Sequence, residues 1–140
     1  MQRFTDLKVW QRSYALAISV YRATRDFPKD ERFELTSQLR RAVTSICLNI
    51  AEGSKRSTQR DYSRFLNIAE GSTAEVENLL MLSRDLHFAS ADALEPLISE
   101  ADGIARMLNR LRACVDAESP PRRGTPRTQS PQPSTESEVA

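Results

Sequence analysis

The sequence has few of the residues from which catalytic and metal sites are usually built. Its 140 residues include one histidine, two cysteines and four glycines. Cys47 and Cys114 lie far apart without a C-x-x-C spacing, and neither clusters with His87 at a zinc spacing. The glycines form neither of the phosphate-binding loops G-x-x-x-x-G-K and G-x-G-x-x-G. We therefore expect no metal, no cofactor and no disulfide, and we interpret both cysteines as small buried side chains in a reducing compartment.

Long apolar runs and an excess of one charge are also lacking. No stretch approaches the length of about 18 consecutive apolar residues that a membrane helix needs, and the N-terminus MQRFTDLKVW has no apolar signal-peptide segment. The sequence therefore predicts a cytoplasmic protein without a membrane partner. Twenty basic and 19 acidic residues give a net charge of +1, which alone points to no anionic partner.

No nucleophile has an evident partner base. Ser45, Ser72 and Ser83 lie at helical positions where a hydroxyl usually bonds within its own helix. His87 follows Arg84 by three residues, too close for the Arg–His pair of small helical ribonucleases of the HEPN type. We interpret His87 as a helix-end or interhelical packing residue. We predict that the protein is not an enzyme and has no catalytic, cofactor-binding or metal-binding residues.

The sequence does contain four stretches in which apolar residues recur at steps of three and four. They begin near residues 7, 35, 58 and 90; the first ends at Asp26-Phe27-Pro28, and the other three end near residues 53, 86 and 115. Four such helices with short links predict an all-α, antiparallel up-down-up-down four-helix bundle. Gly53 is predicted to end the second helix in a left-handed conformation. Pro96 is predicted to make the first turn of the fourth helix irregular, or to move its start nearer Glu95.

The first helix carries more apolar surface than a bundle needs. One stripe contains Trp10, Tyr14 and Tyr21, and a second contains Val9, Leu16 and Val20. We interpret the aromatic residues as core or subunit-interface residues rather than as a stacking platform for bases. The third helix adds Leu66, Leu80 and Leu82 beside its own stripe. Because another subunit is the simplest cover for surplus apolar surface, the sequence predicts a closed cyclic homo-oligomer.

The last 22 residues differ in composition from the rest. Twelve of residues 119–140 are Pro, Ser or Thr, and such a segment cannot bury enough apolar surface to offset the entropy of ordering it. We predict one domain, residues 1–118, and a disordered tail, residues 119–140. Arg122, Arg123 and Arg127 of the tail are available to an anionic partner, but we interpret the tail as solubilising.

The neutral total charge hides a segregation of charge along the chain. Residues 36–64 include six basic and two acidic residues, whereas residues 65–102 include one basic and eight acidic residues. Because phosphate groups are bound by clusters of Lys and Arg, the six basic residues are our candidates for nucleic-acid binding: Arg40, Arg41, Lys55, Arg56, Arg60 and Arg64. The alternatives are a solvated charged turn, or ion pairs with Glu70, Glu75 or Glu77 of a neighbouring subunit.

The hexapeptide NIAEGS occurs twice, at residues 49–54 and 67–72. The first copy is predicted to end a helix and the second to lie inside one, so we interpret the recurrence as local similarity rather than a repeat architecture. In the first copy, Asn49 is a candidate buried polar residue that fixes register. Glu52 is expected to pair with Arg56 or with a neighbouring chain.

Three stretches of the chain resemble one family: FTDLKVWQRSYALAISVYRATRDFP, ERFELTSQLRRAVTSICLNIAEGSKR and FLNIAEGSTAEVENLL. They are similar to the 23S ribosomal RNA intervening-sequence proteins, also called four-helix bundle proteins, over about residues 4–112. The residues that match the family motif are Gln38, Arg40, Arg41, Ser45, Ile46, Asn49, Ile50, Ala51, Glu52, Gly53, Arg56, Phe65, Leu66, Ala69, Gly71, Ser72 and Glu75.

The resemblance implies an all-α bundle that assembles into a ring-shaped homopentamer and has no known enzymatic activity. Related proteins are accessory factors of diversity-generating retroelements, in which a basic surface binds nucleic acid and a reverse transcriptase. The sequence shows no special likeness to that subgroup beyond the fold. The implied partners are further copies of the chain, RNA or DNA, and a protein such as a reverse transcriptase. The alternative is an oligomeric scaffold or adaptor for a protein partner, with no direct nucleic-acid contact.

Overall fold

The computed structural model of the chain describes residues 3–118, which form four α-helices. α1 spans Lys8–Thr24, α2 spans Leu35–Ser54, α3 spans Gln59–Asp85 and α4 spans Ala91–Glu118, with short 3-10 turns at Phe4–Asp6 and Lys29–Glu31. No strand occurs among the described residues, so the predicted all-α four-helix class is confirmed. The predicted tail, residues 119–140, lies outside the described residues.

Each helix packs against two of the other three. α3 lies between α2 and α4, and α1 contacts the same two helices. Within residues 3–118, α1 does not contact α3, and α2 does not contact α4, so these two pairs lie on the diagonals of the bundle. The core between them is built from aliphatic residues at helical spacing, of which Leu39, Ile46, Leu66, Leu80, Leu94, Ile104 and Leu108 are fully buried.

In α1, the stripe of Val9, Leu16 and Val20 enters the core, whereas of the aromatic stripe only Trp10 packs against it. Val9, Leu16 and Val20 are buried, whereas Tyr14 is 50% exposed and Tyr21 is 43% exposed. The core interpretation is therefore wrong for these two tyrosines. The reason is geometric, since the two stripes point in different directions around the helix and the narrow interior of the bundle accommodates one of them.

Gly53 is not the left-handed helix end that the sequence predicts. It lies inside α2, and no described glycine has a positive φ. A Cβ atom built on Gly53 would lie 2.7 Å from Cβ of Phe65 and 3.1 Å from Cδ2 of Tyr62. Gly53 is therefore needed because α3 approaches the backbone of α2 closely at this point, and not because of its freedom in φ.

The start of α4 corrects the expectation for Pro96. The helix is continuous from Ala91 through Pro96, which lies in its second turn. The missing N–H of Pro96 removes one hydrogen bond, to the carbonyl of Asp92, and both residues are exposed to water. The Oγ of Ser90 accepts a hydrogen bond of 3.2 Å from the N–H of Ala93. This cap stabilises the first turn, so the proline is tolerated.

α3 ends at His87, the single described non-glycine residue with a positive φ, 61°. The N–H of His87 donates to the carbonyl of Arg84, and the N–H of Phe88 donates to the carbonyl of Ser83. These two hydrogen bonds form a Schellman motif, in which the left-handed position is more often a glycine. The prediction that His87 is a helix-end residue is confirmed.

The two cysteines have different surroundings. Cys47 is buried, as predicted, and burial raises the pKa of its thiol. Cys114 is exposed, so the expectation of a buried side chain is wrong there. Its neighbour Val115 occupies the inward position of α4 instead.

Gly53→Ala and Gly71→Ala form a matched pair of substitutions, because the two glycines hold the same position in the two NIAEGS copies. We expect G53A to lower the free energy of unfolding by about 1–3 kcal/mol, since its methyl group must displace α3. Gly71 has no other atom within 4 Å of a built Cβ, so G71A should raise this free energy by up to about 1 kcal/mol through helix propensity. Urea denaturation measures both. Equal effects of the two substitutions would contradict the close approach at Gly53.

Candidate nucleic-acid interface

The structure brings together four of the six candidate basic residues. Arg40 and Arg41 lie in the second turn of α2, whereas Lys55 follows its last residue. At a rise of 1.5 Å per residue, about 22 Å of helix separates these positions. The four residues of the α2–α3 turn and the first two turns of α3 form one group, which we call the basic end: Lys55, Arg56, Arg60 and Arg64.

Arg40 is fixed to α1 and does not belong to the basic end. Its Nε donates a hydrogen bond of 2.9 Å to Oγ1 of Thr24, and its Nη2 donates to the carbonyl of Tyr21 at 3.4 Å. The guanidinium carbon also lies 4.7 Å from the centroid of the Tyr21 ring. These contacts hold the last turn of α1 against α2. Arg41, by contrast, is exposed and donates to Oγ of Ser37 at 3.2 Å.

The side chains of the basic end are exposed, and the turn that carries it is short. All four of its side chains are exposed, and only residues 55–58 separate α2 from α3. The side chain of Thr58 accepts a hydrogen bond of 3.1 Å from the N–H of Asp61, which caps α3 at its first turn. The cap stabilises the start of α3, from which Arg60 and Arg64 project.

Three of the four cations at the basic end lie over aromatic rings. The Nζ of Lys55 is 5.4 Å from the centroid of the Phe4 ring. The guanidinium carbons of Arg56 and Arg64 are 4.6 Å and 5.2 Å from the centroid of the Phe65 ring. A cation over the face of a ring is attracted by its quadrupole. Neither phenylalanine is among the candidate binding residues predicted from the sequence, in which Phe65 is noted as a match to the family motif.

Three acidic residues lie in or beside the basic end: Glu52, Asp61 and Glu118. The Oε2 of Glu52 is 3.9 Å from Nη2 of Arg56, which confirms the predicted pairing. Both side chains are about half exposed, so this pair contributes little to stability. At the other side, Nε2 of Gln59 donates to Oε2 of Glu118 at 3.2 Å. The last turn of α4 therefore ends beside the first turn of α3.

Several acidic residues are engaged within the chain. Glu70 accepts hydrogen bonds of 3.0 Å and 3.2 Å from Arg112, and this contact raises the pKa of the Arg112 guanidinium. Of the three acidic residues considered for ion pairs between subunits, Glu70 is thus already paired. Glu75 is exposed and Glu77 is half-buried.

A polar network links α2 and α3 near the middle of both helices. The Nδ2 of Asn49 donates to the carbonyl of Ser45 at 2.8 Å and to its Oγ at 2.9 Å. The hydroxyl of Ser72 donates to the same Oγ at 2.9 Å. Asn49 is half-buried rather than buried, and its amide is satisfied by α2 itself. The Ser45–Ser72 bond is a direct polar contact between α2 and α3.

Within residues 3–118, no three His, Cys, Asp or Glu side chains come together in a way that would hold a metal ion. None of the four helices in this range has both the length and the apolar character needed to cross a membrane.

Arg84 forms ion pairs with Asp85 at 3.0 Å and Glu95 at 3.9 Å, and His87 is exposed.

Comparison with known proteins connects the chain to one family. The family model described as 23S rRNA-intervening sequence protein matches residues 5–110. Among solved structures, the chain is similar to a protein of unknown function from the S23 ribosomal protein family of Bacteroides thetaiotaomicron, with a TM-score of 0.68. The two chains are 23% identical, and the match covers 74% of this chain and 97% of that one, which shows a shared fold. No curated protein matches.

Arg40→Ala and Arg41→Ala separate structural from surface arginines within one turn of α2. We expect R40A to lower the free energy of unfolding by about 1–2 kcal/mol, because it removes the hydrogen bond to the buried Thr24 and the contact with Tyr21. R41A should change it by less than about 0.5 kcal/mol. Thermal and urea unfolding measure the difference. A larger loss for R41A than for R40A would contradict the structural role of Arg40.

Proposed function

The chain belongs to the 23S rRNA-intervening sequence protein family, and from this premise we propose that it is a non-enzymatic homo-oligomer that binds RNA or DNA through its basic end. The observation that carries the proposal is the group of four exposed cations within ten residues, three of them over aromatic rings. Exposed Lys and Arg are the groups that contact phosphates, and their binding releases counterions.

The distribution of acidic residues supports this choice of surface. At the opposite end of α2, the basic residues Lys29 and Arg32 flank the acidic residues Asp30 and Glu31 along the chain. Phosphates would meet mixed charge there. At the basic end the neighbouring Glu52 is held only by a weak, exposed pair. The names of this family and of the S23 ribosomal protein family of the structural relative also refer to ribosomal RNA and ribosomes.

The oligomer is proposed from two exposed apolar faces. On α1, Tyr14, Ile18 and Tyr21 are exposed at helical spacing. On α3, the exposed large apolar side chains are Ile68, Met81 and Leu82; Leu86 directly follows this helix, and α2 exposes Leu48. Among the described residues, α4 exposes no large apolar side chain. Exposed apolar faces of this size are typical of protein–protein interfaces.

The placement of the two faces favours a head-to-tail contact between neighbouring chains. α1 and α3 lie on a diagonal of the bundle, so their outer faces point away from each other. Contact between the α1 face of one chain and the α3 face of the next is therefore heterologous, and heterologous contacts that close form rings. The charges agree, since α1 has basic and no acidic residues whereas residues 65–102 are predominantly acidic. We propose that this ring is the homopentamer that the family resemblance implies.

The proposal places the protein in the cytoplasm, because both cysteines are free thiols and thiols persist in a reducing compartment.

In a ring whose axis follows the helices, every basic end lies on one face. Several basic ends would then contact one nucleic acid, and a protein partner such as a reverse transcriptase would bind the same assembly. Binding at several points raises affinity without any new type of contact.

The alternative function is a scaffold or adaptor for a protein partner, without nucleic-acid contact. It is favoured by the exposed Glu75 and by the apolar side chains on the same helix, which offer a mixed acidic and apolar surface. In this alternative, the four basic residues would pair with acidic groups of a protein.

Sedimentation of the purified chain tests the oligomer. We expect a species with five times the mass of the 15.8 kDa chain at micromolar concentration. Ile18→Asp should convert it to a monomer, because a charge on the α1 face would be buried without a partner. Asn109→Asp adds the same charge to the exposed surface of α4 and should leave the assembly intact. A wild-type monomer at this concentration would refute the ring.

Fluorescence titration into labelled structured RNA and duplex DNA tests the binding surface. We expect affinity that falls steeply between about 50 and about 200 mM KCl, as phosphate contacts require. The variant K55A/R56A/R60A/R64A should bind about tenfold more weakly or worse. The control R22A/R25A/K29A/R32A removes the same number of exposed cations from the other end and should bind like the wild type.

The result separates the two functions. Equal losses in the two quadruple variants would indicate general charge attraction and not a site at the basic end. Absence of binding at about 50 mM KCl would reject nucleic-acid binding and favour the scaffold.

A further inference from the structure

One aromatic ring at the basic end is shared by two arginines. The guanidinium carbons of Arg56 and Arg64 lie 4.6 Å and 5.2 Å from the centroid of Phe65, so they are at most about 10 Å apart. Arg56 comes from the turn after α2, and Arg64 comes from the second turn of α3. The ring thus joins cations from two elements into one unit.

The position of the ring is determined by helix packing. Phe65 is half-buried, and its Cβ is the atom that a side chain on Gly53 would meet first. Because Gly53 has no side chain, α3 lies close enough to α2 for the ring to reach the cations of the turn. Phe65 is therefore held by the backbones of both helices, while its two arginines are free to meet a ligand.

The chemistry of the guanidinium allows both contacts at once. A guanidinium stacks on a ring through its planar face, and its N–H donors point outward in the plane, where they match the oxygens of a phosphate. Successive phosphates on one strand of duplex DNA are separated by about 3.4 Å along the helix axis. Two guanidiniums within about 10 Å of each other can therefore bind one phosphate or neighbouring phosphates of the same strand.

We infer that Arg56, Phe65 and Arg64 form one phosphate-binding unit, in which Phe65 is a positioning residue that orients the two guanidiniums toward neighbouring phosphates of one nucleic-acid strand. The inference rests on the proposed function and adds a specific geometry to it. The weak pair between Arg56 and Glu52 is opened when phosphate binds. The ring contributes orientation, and the arginines contribute the hydrogen bonds and the charge.

The test compares two phenylalanines that each lie beside arginine. Phe65→Leu removes the shared ring but keeps an apolar side chain. Phe33→Leu is the matched control, because Arg32 lies 5.5 Å from the Phe33 centroid at the opposite end of α2, and Phe33 is 85% exposed. The probe is a fluorescein-labelled single-stranded RNA of about 20 nucleotides and its duplex, titrated at about 50 mM KCl. A third variant, R56K/R64K, keeps both charges and removes the planar guanidiniums.

We expect F65L to weaken binding of the probe about threefold to tenfold, and F33L to bind like the wild type. R56K/R64K should bind the probe more weakly by a similar factor, although its net charge is unchanged. A general charge effect would not produce this loss of affinity. Circular dichroism and sedimentation establish whether F65L is folded and assembled. If F65L does not fold or assemble, the binding measured for R56K/R64K tests the inference instead. The side chains of Arg56 and Arg64 are exposed and lie outside the core.

Two outcomes overturn the inference, and they are distinguishable. If F65L and R56K/R64K bind as tightly as the wild type while K55A/R56A/R60A/R64A loses binding, the proposed function stands and the Arg–Phe–Arg unit is wrong. If the wild-type chain does not bind the probe at about 50 mM KCl, the proposed function fails and the unit fails with it.

Discussion

The close approach of α2 and α3 at Gly53 is the contact on which the candidate interface depends. A side chain at this position would meet Cβ of Phe65 at 2.7 Å and would push the two helices apart. With hydrogen there instead, the ring of Phe65 reaches Arg56 and Arg64, and the hydroxyls of Ser45 and Ser72 lie within hydrogen-bond distance. A single packing constraint thus sets the register of two helices and the spacing of two exposed cations.

The pairing of charges explains why one end of the bundle is left with free cations. Along the sides, Arg12 bonds Glu100 between α1 and α4, and Arg112 bonds Glu70 between α4 and α3. Both contacts use two guanidinium donors and tie helices together. At the basic end the one ion pair among these residues is the long, exposed one between Glu52 and Arg56. The ion pairs along the sides stabilise the bundle, whereas the cations of the basic end are exposed and can contact a ligand.

The apolar residues show a similar division between inside and outside. The core is filled by aliphatic side chains, while Tyr14 and Tyr21 remain on the surface of α1. A four-helix core has room for one stripe from each helix, and the second stripe of α1 therefore needs a different cover. The diagonal arrangement of α1 and α3 places the two exposed faces on opposite sides, which is the geometry that a repeated head-to-tail contact requires.

The sequence by itself determined the number of helices and their bounds to within about three residues, because helical periodicity is a local property of the chain. Only the tertiary structure decided which stripe of α1 is buried, why Gly53 is a glycine, that the α4 helix continues through Pro96, and that Cys114 is exposed. It also divided the six candidate cations, since about 22 Å of helix separates Arg40 from Lys55. The role of Phe65 could not be predicted from its position along the chain. It depends on contacts between residues of two helices, and such contacts are set by packing in three dimensions.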